Sequence, residues 1–592
     1  MLAHVLDAQA GVGGWNDFPE LAHWMGLLTW SSSQKLLRGA ESQAIMSAVE
    51  RRRFLSTLGS AGALLATGSW LEAIGYAQAG PRQARALVQQ GYAAAFDRRL
   101  LGSFLEHLGR AIYTGVYEPG SPLADANGFR SDVAREIKDL GVPITRYPGG
   151  NFVSGYNWLD GVGPKPQRPT VLERAWNSIE TNQFGTNEFI DWCRLAGTEP
   201  LLGMNFGSGS SEMAVAYAEY CNVERGTRWS ELRRSHGYER PHNVRYWCLG
   251  NEMDGPWQIG QMQARDYGRK ARDVARQMRI IDRGLQLIAC GSSGTGMPTY
   301  LAWDREVLEE CYGEVDGISL HAYYGNTPST SGNSAARYLA MNLDMDRQIR
   351  EVAAVCDYVQ ALRRSSKVLW LSFDEWNVWY RARSGMAVNG QRQAAPKLLE
   401  EVYNLEDALL VGGFINTLLR NANRVRVGCL AQLVNVIAPL VTNETAVLRQ
   451  STYYPYAWAL RYARGRVLDL HVESETYTIT AAGLQPDFAR DEQVPFVDVV
   501  ATLDPQDGHA CALMLNRDLD AERELVLQWR DVTPTRVMVC ETLTGADLKA
   551  FNTFEQPRRV APQRLDAPAP GARMTFKLPP RSYTVAQLAV SS

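Results

Sequence analysis

The chain has 592 residues, 45% of them hydrophobic and 21% charged, the balance of a soluble globular protein with a large core. A formal net charge of −3 supplies neither a basic face for nucleic acid nor a polybasic patch for a membrane, so neither partner is expected. Nine cysteines without a CxxC pair, eight scattered histidines without an HExxH spacing, and the lack of a GxxxxGK[ST] loop predict no disulfide scaffold, no metal and no cofactor.

In chain order, Arg51-Arg52-Arg53-Phe54-Leu55 precedes the Ala- and Gly-rich apolar run Leu58 to Leu71, which is too short to span a bilayer. Ala77-Gln78-Ala79 follows as a small-x-small cleavage site. This is the order of a secretory signal of the twin-arginine type. It begins late for such a signal, and Met46 would give it a normal start. Residues 1–45 therefore read as a mis-assigned N-terminal extension and 46–79 as the signal, for a periplasmic or secreted protein. The alternative is a cytoplasmic chain with a basic patch before an Ala-rich helix. Residues 80–97, including Ala84 to Val88, read as a strand that joins a C-terminal β-domain.

From Leu100 onward, strand-like runs alternate with helical ones. The strand candidates are Leu101–Leu108, Ile144–Tyr147, Pro200–Asn205, Val244–Gly250, Leu285–Cys290, Gly317–Ala322, Val368–Phe373 and Val425–Gln432. Between them, Ser131–Leu140 stops at Gly141 with Pro143 beyond, a normal helix end. Ala264–Ile281 carries Tyr267, Ala271, Val274, Ala275 and Met278 on one helical face. Eight such units predict an α/β fold, a (β/α)8 TIM barrel over residues 98–465. Beyond about Arg466 the pattern changes to short β-rich segments, Pro495–Leu503, Ala510–Leu515, Glu524–Trp529, Thr535–Glu541 and Ser582–Leu588. Residues 466–592 read as a C-terminal β-sandwich of jelly-roll type.

In such a barrel the chemistry gathers where strands end. Those ends supply Glu106-His107, Arg146 to Asn151, Asn205, Asn251-Glu252, His321 to Tyr324, Glu375 and Gln432. Glu252 and Glu375, 123 residues apart, each close a buried strand. Paired carboxyl groups are what glycosidic cleavage needs: one protonates the leaving oxygen, and the other attacks the sugar or activates water. Gly149-Gly150 allows a tight backbone turn before Asn151. Gly291-Ser-Ser-Gly-Thr-Gly reads as a plain strand-end turn.

The strings Arg146-Tyr-Pro-Gly-Gly-Asn-Phe-Val-Ser-Gly-Tyr-Asn-Trp158, Trp247-Cys-Leu-Gly-Asn-Glu-Met-Asp-Gly-Pro-Trp257, Ile318-Ser-Leu-His-Ala-Tyr-Tyr324, Leu371-Ser-Phe-Asp-Glu-Trp-Asn377 and Leu430-Ala-Gln-Leu-Val-Asn-Val-Ile-Ala-Pro439 resemble the family 51 glycoside hydrolases, mainly α-L-arabinofuranosidases. The resemblance runs from about residue 83 to the C-terminus. It implies Glu252 as general acid/base and Glu375 as nucleophile of a retaining double displacement. It implies Glu106, Asn151, Asn251, Tyr323 and Gln432 as residues that hold the sugar ring, Trp176 and Trp257 as walls, and Arg146 as the support of Glu375. It also implies arabinose-containing plant polysaccharides or oligosaccharides as partners, exo action and a homohexamer. The chain departs from the family at Leu159, where an acidic residue is common, so the polarity of substrate entry is expected to differ. Two alternatives stay open: a retaining glycosidase of the same fold acting on β-xylosides or β-glucans, and a non-catalytic sugar-binding protein.

Overall fold

The computed structural model describes residues 82–382, 391–481 and 490–591. The expected extension at 1–45 and signal at 46–79 lie outside them.

The N-terminal strand β1 (Gln83–Ala95) leads into eight parallel strands that close into a barrel: β2 (Gly102–Phe104), β3 (Ile144–Tyr147), β4 (Glu199–Gly203), β5 (Tyr246–Leu249), β6 (Gln286–Ala289), β7 (Gly317–Tyr324), β8 (Trp370–Val378) and β9 (Val425–Leu430). The ring closes where Cys429 and Leu430 of β9 pair with Gly102 and Ser103 of β2. All eight expected strands are present, with shifted ends. β2 is three residues long, and beyond it the N–H groups of Leu105 and His107 still donate to the carbonyls of Arg146 at 2.9 Å and Pro148 at 3.1 Å. β8 runs five residues past its expected end, and Glu375 lies inside it. The register slips between Ser372 and Glu375 against β7, and between Phe373 and Trp376 against β9. Such an irregularity re-aims side chains without ending the strand.

The helices follow their patterns. Helix α1 (Ser131–Leu140) buries Val133, Ala134, Ile137 and Leu140. It stops where Gly141, at φ 71°, turns its N–H back to the carbonyls of Ile137 and Lys138. Helix α2 (Ala264–Ile281) buries Tyr267, Gly268, Ala271, Val274, Ala275 and Met278, the face that its spacing marks. Helix α3 (Leu405–Arg420) is buried at every position from Leu405 to Leu419. A helix buried on every face needs cover on every side, and α3 has it because it lies between barrel and β-domain, with its polar Asp407 bonded to Tyr338 and Asn416 to Tyr583.

The β-domain is a nine-stranded sheet built from β10 (Arg466–Glu473), β11 (Val497–Asp504), β12 (His509–Asn516), β13 (Arg523–Trp529), β14 (Thr533–Leu543), β15 (Gln563–Arg564), β16 (Arg573–Leu578) and β17 (Ser582–Ser591), together with β1. Its order is β15-β14-β17-β12-β11-β10-β1-β13-β16. β1 pairs antiparallel with β10 and parallel with β13, so the first described strand is a central member of the last domain. Alternation divides the central strands between two cores. Val497, Val499, Ala501 and Leu503 of β11 pack inside the β-domain with Ala84, Ala86 and Val88, whereas Val500 joins the barrel core. Truncating one of the fully buried leucines of α3 to Ala would cost about 2–5 kcal/mol. All nine cysteines are buried and unpaired.

Candidate active site

The floor is set by Arg146 on β3, only 1% exposed. Its Nη1 donates to Glu375 Oε1 at 2.6 Å and its Nη2 to Asn251 Oδ1 at 2.7 Å. One planar fork thus ties the tips of β5 and β8 together. Tyr323 on β7 donates its hydroxyl to Glu375 Oε2 at 2.8 Å. Both Glu375 oxygens are therefore engaged by donors, an arrangement suited to a carboxylate acceptor. Arg146 is itself held over the Phe104 ring, 4.8 Å from its centroid.

Glu252 is held otherwise. After β5 the chain turns sharply through Gly250, at φ 100°, and Glu252, at φ 44°. A Cβ on Gly250 would also stand 2.9 Å from Phe206. A glutamate in left-handed backbone is uncommon and costly, and it persists here because its side chain is held from two sides. Trp257 Nε1 donates to Oε2 at 2.7 Å, and His321 Nδ1 meets Oε1 at 2.8 Å. The other His321 nitrogen, Nε2, meets the fully buried Asp374 Oδ1 at 2.9 Å. Facing the Asp374 carboxylate, Nε2 donates, whereas the sense of the Nδ1 bond is set by whether Glu252 carries its proton. Burial opposes a charged ring, but Glu375, Asp374 and Glu252 outweigh it and raise His321 to about 10. For Glu252, burial and then the negative Glu375 push the pKa above the usual carboxylate range, against the pull of His321 and Trp257. One oxygen of Glu252, one of Glu375 and His321 Nδ1 all lie within 4.8 Å of one another. This trio has cation-ligand spacing, and the two His321 nitrogens already meet Glu252 and Asp374.

Glu106, just past β2, forms the far wall. Its Oε1 accepts from Phe152 N–H at 2.9 Å and Trp176 Nε1 at 3.0 Å, and its Oε2 accepts from Gln432 Nε2 at 3.4 Å. Burial and then Glu375 push its pKa up to about 8. Gln432 Oε1 in turn accepts from the Glu106 backbone N–H at 3.0 Å. Gly150 faces the carboxylates between these walls, and a Cβ there would stand 2.9 Å from Glu375 Oε1. Its lack of a side chain keeps the floor open.

These groups surround a cavity of about 610 Å³, a volume typical of small-ligand sites. Of the residues marked in the sequence, Glu106, Asn151, Trp176, Glu252, Trp257, Tyr323, Glu375 and Gln432 line it. Arg146 and Asn251 stand behind the lining and act through their bonds to each other and to Glu375. Trp257 is 52% exposed at the mouth. Leu159 is not among the lining residues; it sits on a 3-10 turn and packs against the barrel core.

The sequence marks His321 only as part of a strand end, and several other lining and supporting groups not at all. His321 carried a signal: it lies two residues before Tyr323 on one strand, and alternate residues share a face. Asp374 was visible only as the neighbour of Glu375. Trp176 rides on a hairpin, Val171–Glu173 with Ser178–Glu180, for which no strand was expected. Glu173 fixes the hairpin tip by accepting from the N–H groups of Ala175 at 2.6 Å and Trp176 at 2.7 Å. The turn after β6 does more than close a strand, since Ser293 to Gly296 line the cavity. Asp254 holds that turn by accepting from Ser292 Oγ at 2.8 Å and Ser293 N–H at 3.1 Å.

Comparison with known proteins agrees with this geometry. The family described as "Alpha-L-arabinofuranosidase 1 domain" matches residues 136–338, and "Alpha-L-arabinofuranosidase C-terminal domain" matches residues 374–582. The chain is 43% identical over 509 residues to intracellular exo-α-(1→5)-L-arabinofuranosidase 1 of Bacillus subtilis (strain 168), covering 86% of this chain and 99% of that protein. It is 41% identical over 501 residues to the exo-α-(1→6)-L-arabinofuranosidase of Bifidobacterium longum, covering 83% and 94%. A solved family 51 α-L-arabinofuranosidase from Bifidobacterium longum superposes with a TM-score of 0.79 at 38% identity, covering 85% of this chain and 99% of that one. A barrel with two carboxylates facing each other across its mouth, matched along nearly the whole length of these relatives, has one family assignment: the chain belongs to the family 51 α-L-arabinofuranosidases, which are glycoside hydrolases.

Proposed function

We propose that this chain removes terminal non-reducing α-L-arabinofuranosyl residues from arabinan, arabinoxylan or their oligosaccharides, with retention of configuration. One observation carries the reading: carboxylate oxygens of Glu252 and Glu375 lie within 4.8 Å, one raised in pKa and the other gripped by Arg146 and Tyr323. Retaining enzymes hold their carboxyl groups about 5–5.5 Å apart, whereas inverting ones need about 6.5–9.5 Å to admit a water.

Glu375 attacks the anomeric carbon while Glu252 passes its proton to the departing oxygen, so the glycosidic bond breaks as a glycosyl ester forms. Glu252, now a carboxylate, takes a proton from water. The water oxygen attacks the same carbon, the ester bond breaks, and both groups return to their starting states. Arg146 and Tyr323 orient the nucleophile. Glu106, Asn151 and Gln432 hold the ring hydroxyls, Asn251 stands behind them on Arg146, and Trp176 and Trp257 wall the ring. Exo action is supported by the names of both curated relatives.

The Bacillus subtilis relative is named as intracellular, which supports the cytoplasmic alternative over export. A processed chain recovered outside the cytoplasm would reverse that reading. Homohexamer assembly rests on the family resemblance, and a monomer in sedimentation would end it.

The test is hydrolysis of a panel of aryl α-L-arabinofuranoside, β-D-xyloside, β-D-galactofuranoside and β-D-glucoside. The arabinofuranoside is expected to dominate. Dominant release from another member would overturn the substrate assignment.

A further inference from the structure

A second cavity, of about 430 Å³, lies between the last barrel helix and the β-domain, and the chemistry above makes no use of it. Along helix α4 (Tyr453–Tyr462), helical spacing puts Tyr453, Ala457 and Arg461 in one row and Tyr454 and Trp458 in the next, and both rows line the cavity. Facing them are Glu541 of β14 and the loop that carries Arg558 between Pro557 and Pro562. This loop is held in place by Asn552. Its amide nitrogen donates to the carbonyls of Arg449 at 3.0 Å and Val560 at 2.9 Å, and its oxygen accepts from Val560 N–H at 2.7 Å.

The charges in this cavity do not balance. Arg449 is occupied, with Glu136 at 2.8 Å and the Tyr453 ring beneath it. The exposed Arg461 lies over the Tyr462 ring, and neither it nor the exposed Arg558 has a hydrogen bond or ion pair among the described residues. The one acid in the lining, Glu541, accepts from Trp458 Nε1 at 3.0 Å through Oε2 and keeps Oε1 without a partner among the described residues. A preformed cleft thus offers two uncompensated guanidinium groups, one free carboxylate oxygen and the half-buried Tyr454 ring. Guanidinium pairs recognise carboxylates and phosphates, a carboxylate oxygen accepts from a hydroxyl, and an aromatic face receives the C–H face of a sugar.

We propose that this cavity binds a sugar carrying a single anionic group. Arg461 and Arg558 take the anionic group, Glu541 accepts from a ring hydroxyl, and the sugar lies against Tyr454. A uronosyl residue of a polysaccharide and a phosphorylated monosaccharide share this chemistry. The site is independent of the arabinofuranosyl reading, since none of its residues lines the catalytic cavity.

Calorimetric titration of the full chain with D-galacturonate, D-glucose 6-phosphate and neutral D-galactose tests the proposal. Saturable binding of an anionic sugar, and none of D-galactose, is expected. The Arg461→Ala/Arg558→Ala double variant should bind at least about tenfold more weakly, with aryl arabinofuranoside turnover unchanged. Binding of galacturonate alone identifies a polymer uronosyl group as the ligand, and binding of the phosphate alone identifies a phosphorylated sugar; both support the site. Absence of saturable binding, equal binding of D-galactose, or undiminished binding in the double variant overturns it.

Discussion

The tips of β5 and β8 each present a glutamate to one cavity, and they hold it in opposite ways. Glu375 lies within a strand, on regular backbone beside a register slip, and a guanidinium and a phenol donate to its two oxygens. Glu252 lies beyond its strand in left-handed backbone, with an indole and a histidine as its partners. The lesson is that two identical side chains acquire different chemistry from their surroundings. A dense set of donors suits an anion that must attack. Burial beside a negative neighbour suits an acid that must keep its proton until a leaving oxygen arrives.

The largest way to break this contrast is Glu375→Ala. With no nucleophile, kcat on an aryl arabinofuranoside should fall by at least about 10⁴-fold in a variant that still melts cooperatively. Activity within about tenfold of the parent would end the assignment of Glu375.

Glu252→Ala should be milder and should depend on the leaving group. General acid catalysis contributes about 10²–10⁴-fold, and an activated dinitrophenolate needs little of it. On that substrate the variant should show a burst followed by slow turnover, because no base remains to activate water, and azide should accelerate release. Equal losses on good and poor leaving groups, with no burst, would remove Glu252 from the acid/base role.

The smallest effect sharpens the comparison. The Trp257 N–H lowers the pKa of Glu252 by stabilising its anion. In Trp257→Phe that pKa should rise further, so the alkaline limb of kcat/KM should move to higher pH while the maximal rate changes by only about 2–10-fold. A limb that moves to lower pH, or stays put, would show that it belongs to a group other than Glu252.

The limits of sequence reading differ between these two tips. At β5 the expected strand Val244–Gly250 appears as Tyr246–Leu249, with Gly250 just past its end and Asn251-Glu252 following, because the apolar run ends close to where the strand ends. At β8 the reading stopped the strand at Phe373, since Asp374, Glu375 and Asn377 are polar. The strand continues because each of them is satisfied in the interior, Asp374 by His321 and Ser372 Oγ, and Asn377 by the carbonyls of Ala431 and Ile437. The Trp176 hairpin escaped for a related reason. Its strands are three residues long, and acceptor carboxylates hold its tip where an alternating apolar pattern would have left a trace.

The sequence by itself determined the eight barrel strands, the buried faces of α1 and α2, the change to β-structure near Arg466 and the two glutamates, all carried by local periodicity and by residue type. Only the tertiary structure decided that His321 links Asp374 to Glu252, that Arg146 joins the two catalytic strand tips, and that α3 is enclosed on every side. Those depend on groups far apart in the chain, as Arg146 and Glu375 are at 229 residues. Contacts of that range leave no period in a chain, because they are selected by the closure of the barrel and not by neighbouring residues.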